Sequence, residues 1–233
     1  MLSNDPKRKT YLPHPKEQLY IEPSNVCNLH CRFCGYKKTK RPKAIMSTDF
    51  FCNVIDQATA FGHTSFGLTP ITGEVFVDRD LLSKLEYMED HSGVGLYRFY
   101  SNYIQTSEDF HDFLPDVKKL HTLTVSIYGH DEESFKKLTG GSQKQYEHLI
   151  QNLSGLLDTY QSPDRQYRVN LTVRTEAGFD YDSWDSDIGR LVKTGKSLGT
   201  GLSIMTGQYD NWGGLVDKKE LELSLIHISE PTR

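Results

Sequence analysis

The sequence predicts an α/β fold built on a parallel sheet with helices outside it, and three observations carry that prediction. Stretches rich in β-branched and aromatic residues alternate with helical stretches about six times along the 233 residues. Gly, Pro, Asp and Ser punctuate the junctions. Strands separated by helices pair in parallel through right-handed crossovers, and such sheets gather their ligands at the C-terminal mouth of the strands, in a barrel or an open sheet.

The elements follow in order. Residues 1–18 are charged and Pro-containing and read as an N-terminal arm. Residues 19–25 (LYIEPSN) alternate in apolarity and reach Pro23, so they read as a first strand that hands the chain into a cysteine-rich loop. A basic loop, 36–46, comes next. Ser47 or Thr48 then caps a helix whose Phe50, Phe51, Val54, Ile55 and Ala58 recur at helical spacing up to Gly62. A second strand is predicted at 64–71, a helix at 78–91, a third strand at 94–104 and a short helix at 107–120 interrupted by Pro115. The β-branched run at 122–129 is a fourth strand. Two helices, 131–141 and 142–160, part at Gly140 and Gly141. A fifth strand (167–176), a helix (181–199) and a sixth strand (200–208) complete the pattern.

Composition narrows the function. Hydrophobic residues are 36% and charged residues 25%, with a net charge of −4, so the basic surface that nucleic acid requires is not expected. No apolar run approaches the roughly 20 residues that span a bilayer, and the polar start has no signal-peptide core. No membrane partner is expected, and a cytoplasmic location is.

Three of the four cysteines fall within eight residues, Cys27-Asn28-Leu29-His30-Cys31-Arg32-Phe33-Cys34. A reducing compartment suits that arrangement better than a disulfide framework does. Clustered thiolates bind soft metals and iron–sulfur clusters, and three of them leave one iron of a four-iron cluster open to a substrate. The fourth, Cys52, lies in the first helix and reads as a small half-buried residue.

The C-x3-C-x2-C spacing, the aromatic before the last Cys, and the flanks EPSNVCN and GY resemble the signature of the radical S-adenosylmethionine (SAM) superfamily. The resemblance implies a partial (β/α)6 barrel over residues 19–222. It also implies that Cys27, Cys31 and Cys34 hold a 4Fe-4S cluster whose open iron chelates SAM, with an electron donor such as flavodoxin or ferredoxin reducing the cluster. One electron then cleaves SAM to methionine and a 5′-deoxyadenosyl radical, which takes hydrogen from a substrate that the sequence leaves open among peptides, sugars and small metabolites.

The same resemblance assigns SAM contacts by position. Gly73 and Glu74, just past the second strand, match the family's Gly-Glu pair for the SAM amino group, although Thr72 and Val75 replace its usual neighbours. Ser101 and Asn102 stand where relatives carry Thr-Asn-Gly, and Ser126 near the end of the fourth strand is a polar contact for ribose or carboxylate. Arg174 on the fifth strand offers a planar fork of donors suited to the SAM carboxylate, with a salt bridge to Glu74 or Glu176 as its structural alternative. Phe33 and Tyr36 are aromatic neighbours for the cluster and adenine.

The lysine-rich loop (Lys37, Lys38, Lys40, Arg41, Lys43) is expected either to dock the acidic electron donor or to be a solvated surface. Two other classes of function compete with the enzyme. One is a structural zinc module of Cys3His type using His30, and the other is a barrel that binds without turning over SAM. Residues 207–221 resemble the link to a C-terminal auxiliary-cluster (SPASM) domain. Residues 223–233 (LSLIHISEPTR) resemble, letter for letter, the translation of a transposase adapter used in DNA library preparation, so they are expected to be a non-native tail on a truncated chain.

Overall fold

A computed structural model describes residues 17–207 and Val216. The arm (apart from its last two residues), most of the segment resembling a SPASM link, and the adapter-like tail lie outside the described residues.

Six strands, β1 (Leu19–Tyr20), β2 (Ser65–Leu68), β3 (Leu96–Ser101), β4 (Leu120–Tyr128), β5 (Arg168–Thr175) and β6 (Gly201–Thr206), form one sheet in sequence order, every neighbour parallel. The crossovers carry helices α1 (Thr48–Phe61), α2 (Leu81–Asp90), α3 (Glu108–Phe113), α4 (Glu132–Thr139), α5 (Gln143–Tyr160) and α6 (Asp187–Ser197). This is the open α/β architecture that the alternation predicts.

The first strand is shorter than the reading of 19–25. Pro23 has no N–H to give the ladder, and after Ile21 N–H reaches Gly67 O at 2.9 Å the chain turns away from the sheet. Ser24 and Asn25 pair instead with the far end of the basic loop. Ser24 bridges Ile45, and the Asn25 side chain accepts from Ala44 N–H and donates to Pro42 O, both at 2.8 Å.

The helices begin where short polar side chains satisfy the free N–H groups of a first turn. Ser47 accepts from Phe50 N–H, and Gly62 closes α1. Asp131 and Ser142 each form a capping box, with Ser134 and Gln145, at the starts of α4 and α5. Gly129, at φ 89°, is required where β4 turns into α4, because a Cβ there would lie 2.4 Å from Phe135 N.

Strand parity divides the sheet into two faces. Phe99, Leu123, Val125, Ile127, Val169, Leu171 and Val173 are buried against the helices. Residues of the opposite parity, among them Tyr100, Ser126, Tyr128, Thr172 and Arg174, line a cavity on the inner face. One feature that the sequence leaves unannounced is a fully buried ion pair between Lys84 of α2 and Asp78, in which the ammonium also donates to Met46 O. It ties the loop after β2 to the entry of α1.

Candidate active site

The cavity, of about 290 Å³, opens at the C-terminal ends of the strands. Its wall carries Cys27, Cys31 and Cys34 together with Phe33, Gly73, Glu74, Ser101, Asn102, Ser126 and Arg174, so ten of the residues singled out by sequence share one enclosure. Tyr36 does not line it.

The cysteine loop is held from three sides. From the helix layer, His30 N–H donates to Thr139 O and Arg32 N–H to Leu138 O, both at 2.9 Å, and Gln145 Nε2 reaches Asn28 O at 2.9 Å. Behind the loop, Cys27 N–H donates to the Tyr36 hydroxyl at 3.2 Å, and Lys43 lies 3.5 Å over the Tyr36 ring. Tyr36 therefore braces the first ligand candidate from outside the cavity. Toward the sheet, Asn102 Nδ2 donates to Asn28 Oδ1 at 2.7 Å.

Gly73 and Glu74 sit against that loop. Glu74 N–H donates to Val26 O at 2.7 Å, and a Cβ on Gly73 would stand 2.5 Å from Ser24 O and 2.9 Å from the Asn25 Cα, so only glycine allows this approach. The Glu74 carboxylate is 2% exposed. It accepts from Ser101 Oγ (2.6 Å), Asn102 N–H (2.6 Å) and Phe76 N–H (3.1 Å). Burial raises its pKa, and those donors oppose the rise. Ser101 and Asn102 thus act chiefly on Glu74 and Asn28. Just beyond them Tyr103 holds a left-handed φ of 61°, a conformation costing on the order of 1 kcal/mol or more in a non-glycine residue. Its full burial and a 3.0 Å contact from its hydroxyl to His111 Nε2 hold it there.

Opposite Glu74, Phe33 packs on Tyr128 with ring centroids 5.1 Å apart, and the Arg174 guanidinium lies 4.9 Å from the Phe33 ring centroid. Tyr128 is held by burial far above the ordinary phenol range and hydrogen-bonds Ser126. Arg174 does not form the alternative salt bridge: Glu176 pairs with Lys137 at 2.7 Å, and Glu74 is held by Ser101 and Asn102. The Arg174 Nε is buried without a hydrogen-bond partner, as is Thr69 Oγ1 on the same cavity wall. Thr69, Tyr128, Thr172 and Met205 escaped the sequence reading, although the parity of Ser126 and Arg174 along their strands identifies Tyr128 and Thr172.

The three thiols are free, and burial, the largest influence on each, raises all three pKa values, Cys27 to about 12. Such thiols ionise once a metal centre supplies positive charge. Among the described residues no three His, Cys, Asp or Glu side chains converge closely enough to hold a single metal ion. His30 is exposed and off the cavity wall, so the Cys3His set is not assembled. A cluster, whose thiolates attach to separate irons, accepts the wider spacing. The donor set, three thiols, an arginine whose Nε is unsatisfied while its Nη2 reaches Met205 Sδ at 4.0 Å, and a carboxylate on one cavity wall, fits a 4Fe-4S cluster and an amino-acid-bearing cofactor.

Comparison with known proteins agrees. The family model described as the radical SAM superfamily matches residues 21–161, and the chain belongs to that family, which uses a 4Fe-4S cluster and SAM. A probable GTP 3′,8-cyclase of Saccharolobus islandicus is 28% identical over 167 residues, covering 70% of this chain and 51% of the relative. The chain spans about half the length of the curated relatives it matches. Among solved structures, Streptococcus suis SuiB bound to its precursor peptide SuiA superposes with a TM-score of 0.61 at 16% identity, over 91% of this chain and 45% of SuiB. The anSMEcpe structure with bound AdoMet gives 0.56 at 14% identity, over 81% and 49%. Both share the open parallel fold.

Proposed function

We propose that this chain is the radical-generating core of an enzyme that cleaves SAM reductively and removes a hydrogen atom from an organic substrate. The observation that carries the reading is the single cavity in which the three free thiols face Glu74 and the partnerless Nε of Arg174. When bound, the cluster and SAM supply the electron and the radical chemistry.

The chain's own residues do the placing. Cys27, Cys31 and Cys34 hold three irons. Glu74, stiffened by Ser101 and Asn102, receives the SAM amino group, and Arg174 offers its fork to the carboxylate. Ser126 and Phe33 line the path toward ribose and adenine. The buried apolar packing behind them limits water access.

A reductant and an organic substrate complete the reaction. The donor is assigned to the exposed loop beside Cys34, where Lys37 and Lys40 project, while Arg41 is engaged by Glu22 and Lys43 by Tyr36. An acidic flavodoxin or ferredoxin suits that charge.

Anaerobic reconstitution tests the proposal. About four irons and four sulfides per chain are expected, with 5′-deoxyadenosine formed from SAM under dithionite. Bound zinc without iron, or a cluster that never cleaves SAM, overturns it in favour of the structural or binding barrel.

A further inference from the structure

Below the cavity, the inner face of the sheet carries a row of side chains set by strand register. Arg98 of β3 is in register with Thr122 of β4, and Thr122 with Arg168 of β5. Their parity is that of Tyr100, Ser126, Thr172 and Arg174 on the cavity wall. The register shift between Tyr97 and Arg98 adds His121 to the same place, its Nδ1 2.7 Å from Thr122 Oγ1.

Two arginines thus stand about 10 Å apart at their backbones, two strand spacings, in a protein whose net charge is −4. Among the described residues the ion pairs join other side chains, and neither Arg98 nor Arg168 has a carboxylate partner. Arg98 Nε is buried with no hydrogen-bond partner, and so is Nε2 of Gln18, which packs over Gly67, the residue in register with Arg98. Burial and both arginines lower the pKa of His121, so it stays neutral beside them. Every unsatisfied group in the row is a donor or a positive charge.

We propose that the row Arg98–Thr122–Arg168 holds a phosphate group of the substrate, a refinement that rests on the reading of the cavity above it as the place of SAM cleavage. A phosphate monoester carries about −1.5 to −2 at neutral pH and three acceptor oxygens, so one group balances two guanidiniums. A single carboxylate leaves one of them unbalanced. At about 3.3 Å of rise per residue, Arg98 lies roughly 7 Å below Tyr100 at the cavity lip and Arg168 roughly 13 Å below Thr172. A phosphorylated metabolite anchored there would lie on the same face of the sheet as the cavity, whose wall begins at Tyr100 and Thr172.

The test is titration calorimetry with inorganic pyrophosphate, and separately with succinate, on the full chain and on Arg98→Gln/Arg168→Gln. Pyrophosphate binding that weakens with salt and falls about tenfold or more in the double variant is expected, with succinate weaker throughout. The same affinity in both proteins, no pyrophosphate binding by the unaltered chain, or succinate binding as tight and as dependent on both arginines each overturns the assignment. Arg168→Glu, at an exposed position, is the second variant should the double one fold poorly, and retained binding there is equally fatal. Iron and sulfide content is measured in parallel. A chain that binds pyrophosphate through these arginines but takes up no cluster removes the reading of the cavity and leaves the phosphate site standing, and the converse result does the opposite.

Discussion

Ser101 Oγ donates to Glu74 Oε1 at 2.6 Å, both groups buried, so the end of β3 fixes a carboxylate that belongs to the loop after β2. The first prediction follows from that bond. Ser101→Ala leaves a buried carboxylate oxygen short of a donor, and a loss of about 1–3 kcal/mol in urea-denaturation stability is expected. SAM affinity of the reconstituted protein falls with it. Unchanged stability means that water or another donor takes the place of Ser101.

Gly73→Ala tests the close approach of the two loops. The new Cβ meets backbone at Ser24 and Asn25, which cannot rotate away as a side chain end does. About 1–3 kcal/mol of destabilisation is expected, together with weakened SAM binding, because Glu74 moves with its neighbour. A variant that binds SAM as tightly as the parent contradicts the packing.

Tyr36→Phe keeps the ring under Lys43 and removes the acceptor for Cys27 N–H. The fold survives, but iron is lost faster to a chelator, by a few-fold, in keeping with about 1 kcal/mol for one hydrogen bond. Time courses of iron release against bathophenanthroline measure it, and equal rates count against a bracing role.

Arg174→Lys retains charge but not the planar fork. SAM affinity is expected to drop about tenfold in this variant and no less in Arg174→Gln. Full rescue by lysine reduces Arg174 to a point charge.

His111 gives a pH prediction. Its ring lies under Gly155 against the Tyr103 hydroxyl, and burial lowers its pKa below the ordinary 6.5 in spite of Asp112 and Glu108. Just below pH 6.5 the unfolded chain takes up a proton that the folded chain refuses, so stability falls on acidification through that window. His111→Gln flattens this slope, which denaturation midpoints between about pH 5 and pH 7 report.

Much of this was legible from local signals. Period-2 and period-3.6 patterns, the Ser47 cap and Gly62 located most strands and helices to within a few residues, and the cysteine spacing pointed to the candidate site. The helix read at 107–120, however, ends at Phe113, before Pro115, and the one read at 181–199 begins only at Asp187. Pairings between distant segments were not legible. Nothing near Tyr36 announces that its hydroxyl faces Cys27, and nothing near Arg174 says that Lys137 takes Glu176 first. The Lys84–Asp78 pair likewise resembles surface residues on an amphipathic helix until the loop folds over it. The first strand is shorter than 19–25 because its ladder ends at Ile21, and Glu22, Pro23, Ser24 and Asn25 carry no apolar alternation that would extend it.

The anchoring of the cysteine loop to Leu138, Thr139 and Gln145 carries a consequence for biosynthesis. The three thiols emerge from the ribosome more than a hundred residues before the helices that grip their backbone. Until those helices pack, the thiols hang on an unframed segment, exposed to oxidation and to stray metal. If these thiols hold the proposed cluster, a lesion that delays the α4–α5 junction is expected to surface first as cluster-free protein, which iron content per chain measures.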